Sequence, residues 1–187
     1  NRINTPEVAE DVLATGCADM VSMARPLLAD PDFVAKAMAG RARQIAPCIA
    51  CNQACLDHTF SGKISSCLVN PRACFETELV IAPATTPKTV AVVGAGPAGL
   101  SVALTAADRG HSVTLFDRAA RIGGQLNMAR QVPGKEEFHG LVDWYEEMVA
   151  ASGITLRLNT EATADDLAGF DEVVIATGVI PRDPGIP

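Results

Sequence analysis

Aromatic side chains are scarce in this chain: one Trp, one Tyr and six Phe among 187 residues. Its cores must therefore be assembled mostly from Ala, Val, Leu and Ile. Basic residues are in the minority, 15 against 22 acidic ones, for a formal charge of -7. That balance argues against nucleic acid or an anionic membrane surface as a partner. No run of 18 apolar residues is present, so no membrane-spanning helix is expected. No secretory leader is visible either, and the first residues, Asn1-Arg2-Ile3-Asn4, read as mid-protein sequence. A hydrophobic content of 48% still makes the chain globular.

Cysteine, by contrast, is concentrated. Five of the six cysteines, Cys48, Cys51, Cys55, Cys67 and Cys74, fall within 27 residues, and Cys17 stands apart beside an expected strand. With no leader, this points to a reducing, cytoplasmic compartment in which thiols stay free for a metal. The spacing Cys48-x2-Cys51-x3-Cys55-x11-Cys67 puts three ligands in one turn and brings the fourth from further along. Zinc sites more often pair two short knuckles. The asymmetry favours a [4Fe–4S] cluster over zinc, with Cys74 a rival for the fourth ligand. Ile45, Ile49, Leu56, Ile64 and Leu68 are expected to form a dry shell around it. Cys17 reads as a small buried side chain.

Local patterns divide the chain. Residues 6–15 read as a helix and 18–23 as a short strand, and Asp30-Pro31-Asp32 opens a second helix, with Pro at an early position, that runs to about Gly40. Residues 41–79 lack periodicity, and the prolines in 80–88 mark a linker. From Thr89 onward the pattern becomes α/β: strands at 89–93, 111–116, 154–158 and 172–175, with helices at 97–109 and 136–151. In Val93-Gly94-Ala95-Gly96-Pro97-Ala98-Gly99 a strand precedes the glycines and a helix follows them. Gly94 permits the turn, Gly96 lets the backbone approach a pyrophosphate, and Gly99 lets helix and strand pack closely. Asp117, 21 residues past Gly96, ends the second strand where a ribose-hydroxyl acceptor is expected. Its charge disfavours a ribose 2′-phosphate, so the site suits FAD or NAD. Gly123-Gly124-Gln125 and Ala176-Thr177-Gly178 tip the reading toward FAD.

These motifs together resemble the bacterial, NADPH-dependent 2,4-dienoyl-CoA reductase family of iron–sulfur flavoproteins. CNQACLDHTFSGKISSCLVNPRAC (51–74) and AVVGAGPAGL (91–100) are the most specific stretches, and the likeness runs over essentially the whole chain. It implies an α/β fold in three parts: the last strand and helix of an FMN-binding TIM barrel (1–40), an irregular iron–sulfur segment and linker (41–82), and a partial Rossmann-like FAD-binding domain with a parallel sheet (83–187). It implies Cys48, Cys51, Cys55 and Cys67 as cluster ligands, with Cys74 outside the set. It places Gly94, Gly96, Ala98, Gly99, Asp117, Gln125 and Ala162 on FAD. Ala24, through its backbone, and Arg25 fall on the FMN phosphate, in line with the phosphate sites of barrels after strands 7–8. Met23 departs from the Gly common at its position. Without the family, Arg25 would read as a solvated charge.

The same resemblance implies electron flow from NADPH through FAD, the cluster and FMN to an unsaturated acyl-CoA. The nicotinamide site, the acidic Tyr and His of the barrel and the substrate pocket are expected outside these residues. Tyr145 reads as core, His58 as facing water and His111 as structural, so no catalytic residue is expected here. Enoate reductases and trimethylamine-dehydrogenase-like enzymes share the plan. A stand-alone electron carrier is the alternative from a different class.

Overall fold

A computed structural model describes residues 3–180, 182 and 185. Its contacts divide the chain into two units, the first formed by residues 1–80 and 129–148 and the second by 81–128 and 149–187.

In the first unit, α1 (Pro6–Ala14) starts where a helix start is encoded. Thr5 Oγ1 accepts from the Val8 N–H, Pro6 occupies the first turn, and Glu7 complements the N-terminal dipole. Gly16, at φ +68°, ends the element. Residues 18–23 are irregular, contrary to the expected strand. A strand needs a ladder neighbour, and among the described residues the sheet lies in the second unit. The helices α2 (Arg25–Ala29) and α3 (Phe33–Met38) follow. Between them sits Asp30, 3% exposed. Its carboxylate accepts from Lys36 Nζ at 2.6 Å, the Ala46 N–H at 2.8 Å and the Asp32 N–H at 3.0 Å. A buried charge is tolerable only when satisfied in this way.

Residues 41–80 contain a 3₁₀ turn (Ala42–Gln44) and the short α4 (Leu56–Phe60), and are otherwise irregular. Side chains replace the missing ladders. The Asn4 amide brackets the Cys48 backbone, donating to its carbonyl and accepting from its N–H. Asn70 donates to the Leu28 carbonyl, and the Ser66 N–H donates to that of Ala54 at 2.7 Å. The long α7 (Glu137–Ala151) contributes residues up to Met148 to this unit. Its Trp144 indole donates to the Gln44 carbonyl at 3.1 Å. Tyr145 is buried, as expected, and burial raises its phenol pKa.

The second unit is a four-stranded parallel sheet, β1 (Thr89–Val93), β2 (Ser112–Phe116), β3 (Thr155–Arg157) and β4 (Glu172–Ile175), in the order β3-β2-β1-β4. The strands β1 and β2 are the buried centre, with Val90, Ala91, Val92, Val113, Leu115 and Phe116 buried, whereas β3 and β4 are largely exposed. The helix α5 (Pro97–Asp108) crosses from β1 to β2 and buries Leu100 and Ala103 completely. Phe170 meets Phe116 edge to face, with centroids 6.1 Å apart. At the far end, the Asp171 carboxylate accepts from both the N–H and the hydroxyl of Thr89. Short helices α6 (Leu126–Ala129) and α8 (Ala164–Leu167) complete the described elements. No helix among the described residues is long and apolar enough to cross a membrane.

Candidate functional site

Each glycine of the turn after β1 answers a different demand. Gly94 has φ +109°, and a Cβ there would lie 2.3 Å from the Ala176 carbonyl oxygen. A Cβ on Gly99 would stand 1.8 Å from the Gly94 oxygen, so its absence is what allows α5 to sit against the turn. Gly96 is unlike both. Its φ is an ordinary -78°, and a Cβ would meet nothing nearer than the Gly124 Cα at 4.0 Å. Protein packing therefore does not require a glycine there.

That space is a cleft of about 590 Å³ lined by Gly94, Gly96, Ala98, Asp117 and Gln125, among others. No side chain caps the N-terminus of α5 facing it. The second glycine pair closes the opposite wall: the Gly123 N–H donates to the Ala95 carbonyl at 2.7 Å, and a Cβ on Gly124 would lie 2.9 Å from the Gly96 Cα. Asp117 ties the turn to the end of β2, accepting from the Ala95 N–H at 2.6 Å and the Ala119 N–H at 2.7 Å. Each of its oxygens keeps a lone pair for a further donor. Ala162 lines an adjoining cleft of about 360 Å³ that also reaches Gly94 and Asp117. Gly99 is buried beneath the turn. Thr177, of the Ala176-Thr177-Gly178 stretch, lines both clefts, and so does Arg118, which no sequence motif singled out. The position of Arg118, directly after Asp117, was the available signal.

In the first unit, Ala24, Arg25, Asn4, Met23, Cys48 and Ala50 line a cleft of about 320 Å³. Arg25 is half-buried, and its Nη1 donates to Asn52 Oδ1 at 2.8 Å. Asn52 and Ala50 flank Cys51 in left-handed conformations, at φ +62° and +52°. Cys48, Cys51, Cys55 and Cys67 are half-buried free thiols. Burial pushes the Cys67 thiol pKa up, the backbone N–H groups of Asn70 and Val69 pull it back, and Cys48 and Cys51 raise it again by like-charge repulsion. Among the described residues, no group of three or more His, Cys, Asp or Glu side chains is placed to hold a metal, so an iron–sulfur segment is not evident in the fold.

Two further expectations fail here. Cys17 is exposed rather than buried, with the Thr15 hydroxyl donating to its sulfur at 3.3 Å, and the strand expected beside it does not form. Of the five side chains expected as a dry shell, Ile45 and Ile49 are buried, whereas Leu56, Ile64 and Leu68 are 38%, 65% and 54% exposed. Cys74 is exposed, at φ +65°, and its N–H donates to the Glu76 carboxylate. His58 Nδ1 lies 3.0 Å from the Ile64 carbonyl, and His111 Nδ1 accepts from the Lys88 N–H.

Residues 88–187 match the family of pyridine nucleotide-disulphide oxidoreductases, and residues 1–44 match the NADH:flavin oxidoreductase / NADH oxidase family. Among known proteins, a metal reductase of Desulforamulus reducens is 45% identical over 100% of this chain and 29% of its own length. An NADH oxidase of Thermoanaerobacter brockii is 40% identical over 98% of this chain and 29% of its own. A solved 2-naphthoyl-CoA reductase in complex with 2-naphthoyl-CoA superposes with a TM-score of 0.95 at 41% identity, over 99% of this chain and 29% of that one. A histamine dehydrogenase from Rhizobium sp. 4-9 superposes with a TM-score of 0.88 at 32% identity, over 97% of this chain and 27% of that one. The chain thus spans less than a third of the length of these relatives.

Proposed function

Because the chain belongs to the pyridine nucleotide-disulphide oxidoreductase family, we propose that its second unit binds FAD and that the protein is a flavin-dependent reductase. The observation that carries this is the empty space at Gly96: a backbone that needs no glycine for its own packing keeps one where a pyrophosphate would pass. The uncapped N-terminus of the twelve-residue α5 supplies N–H groups and a positive dipole end to the phosphates. Asp117 is placed to accept a ribose hydroxyl. Its charge, beside backbone N–H groups already in use, disfavours a 2′-phosphate. Gln125 and Ala98 line the cleft along its length, and Ala162 the adenine end.

In the first unit, the Ala24 backbone and Arg25 are proposed to hold the phosphate of FMN. The cleft there suits the phosphate-bearing end of that molecule rather than the whole of it. Cys48, Cys51, Cys55 and Cys67 are proposed to hold a [4Fe–4S] cluster. Their spacing and their freedom from disulfides support this donor set. When bound, flavins exchange one or two electrons and such a cluster one at a time, which is the chemistry of a relay between two flavins.

The reaction proposed for the whole protein is NADPH-dependent reduction of a conjugated acyl-CoA of the 2,4-dienoyl type. The nicotinamide site and the acyl pocket lie outside these residues. The likeness to the 2-naphthoyl-CoA reductase, solved with 2-naphthoyl-CoA bound, supports a CoA-linked substrate. Amine oxidation is the second reading, favoured by the likeness to histamine dehydrogenase. The test is to prepare the whole protein anaerobically, measure FAD, FMN, iron and acid-labile sulfide, and assay 2,4-dienoyl-CoA reduction with NADPH beside amine oxidation with an artificial acceptor. About one FAD, one FMN and four iron with four sulfide per chain, and turnover of the dienoyl-CoA alone, is the expected result. One zinc without sulfide refutes the cluster, and amine turnover alone refutes the substrate.

A further inference from the structure

The hydrogen bond from Arg25 to Asn52 joins residues 27 positions apart in two stretches that share no regular ladder. Arg25 opens α2 and lines the cleft of the first unit, and Asn52 follows Cys51 in the cysteine turn. A guanidinium on a long, flexible stem must be fixed in orientation to present its fork to a phosphate. It has five N–H donors, so one bond through Nη1 leaves the rest for a ligand. Asn52 is itself held. Its φ of +62° is a conformation that Asn tolerates far better than most side chains. Its carbonyl accepts from the Asp57 N–H at 3.0 Å, which anchors the turn to the start of α4. The Oδ1 aimed at Arg25 thus sits on a backbone constrained from the other side.

We propose that Asn52 is the positioning residue for Arg25: by accepting from Nη1 it sets the guanidinium in the orientation that receives the phosphate of FMN. This rests on the reading of Arg25 as the phosphate ligand. Glu137 also lines the cleft, and a carboxylate nearby makes a fixed orientation of the cation more consequential. The role is one of geometry, since Asn52 carries no charge and does not line the cleft.

The experiment measures the affinity of the deflavinated whole protein for FMN and for riboflavin, which lacks the phosphate, in wild type, Asn52→Gly, Arg25→Ala and the double variant. Glycine keeps the left-handed backbone at no steric cost, so the turn survives while the acceptor is lost. A hydrogen bond to a charged partner is of the size to shift FMN affinity about tenfold, or about 1.4 kcal/mol. FMN affinity is expected to fall about tenfold in Asn52→Gly and further in Arg25→Ala, with riboflavin affinity unchanged in both. In the Arg25→Ala background, Asn52→Gly should add nothing. If Arg25→Ala weakens FMN and Asn52→Gly does not, Asn52 is no positioning residue. If Asn52→Gly weakens FMN and riboflavin alike, its role is structural and the proposal falls. If Arg25→Ala leaves FMN binding intact, the reading of Arg25 itself fails, and the proposal with it.

Discussion

Replacing Gly96 and Gly99 separately by Ala should divide ligand binding from folding within a single turn. At Gly99 the new Cβ would start 1.8 Å from the Gly94 carbonyl oxygen and 3.0 Å from its carbon. Both are backbone atoms of a turn fixed by the left-handed Gly94, so no rotamer change relieves the clash. Overpacking of this kind costs about 1–3 kcal/mol and sometimes more. The gain from placing Ala in a helix instead of Gly is at most about 1 kcal/mol. At the upper end of that range, which a backbone approach of 1.8 Å warrants, the net loss is about 2 kcal/mol, lowering Tm by roughly 4–8 °C for a chain of this size. At Gly96 the Cβ meets only an atom at 4.0 Å and the φ of -78° suits Ala. The cost there is limited to the weaker N-cap preference of Ala, about 1 kcal/mol or less. The order reverses for the cofactor, because the Gly96 Cβ would project into the cleft. Thermal melts of the cofactor-free protein and FAD titrations by fluorescence quenching separate the two. Gly96→Ala should lose no more than about 2–4 °C in melting point and at least about tenfold in FAD affinity, about 1.4 kcal/mol. Equal melting points for the two variants, or unaltered FAD affinity in Gly96→Ala, would refute the reasoning.

Three other perturbations follow from the same geometry. Asp30→Ala strands the Lys36 ammonium and the Ala46 N–H, and should cost about 3 kcal/mol by urea denaturation, since breaking a buried pair is worse than never having one. The Asp171 carboxyl is held below its usual pKa first by the Thr89 N–H and then by its hydroxyl. A depressed native pKa contributes stability that is fully present above the unfolded value near 3.9 and is lost as pH falls through the native value. Urea midpoints should therefore drop less steeply below about pH 4 in Asp171→Asn than in wild type. In anaerobically prepared protein, Cys67→Ser should sharply reduce bound iron and sulfide whereas Cys74→Ser should not; equal losses would place the exposed Cys74 in the ligand set.

What could be read from the sequence is what is encoded locally. The runs Thr89–Val93 and Ser112–Phe116 are legible as strands because the two central strands of the sheet bury Val90, Ala91, Val92, Val113, Leu115 and Phe116, and the glycine turn is legible because Gly94 and Gly99 are demanded by backbone geometry within a few residues. The short α8 carries its own mark, Thr163 and Asp166 in a capping box, but its four residues are too few to show a periodicity. Residues 18–23 have the composition of a strand without a partner to make them one. Leu56, Ile64 and Leu68 have the character of a shell, but an apolar side chain does not state which surface it covers, and these three stand open. The contacts that shape the first unit are the least legible of all. Asn4 on the Cys48 backbone, Arg25 on Asn52 and Asn70 on Leu28 join positions 44, 27 and 42 residues apart through ordinary polar side chains. Asn52 shows the difficulty most plainly. In the sequence it is a spacer between two cysteines, and only its left-handed backbone and its bond to Arg25 separate it from any other polar loop residue. A segment that lacks ladders must satisfy its buried polar groups with side chains from elsewhere, so the residues that set its geometry are those that no local pattern marks.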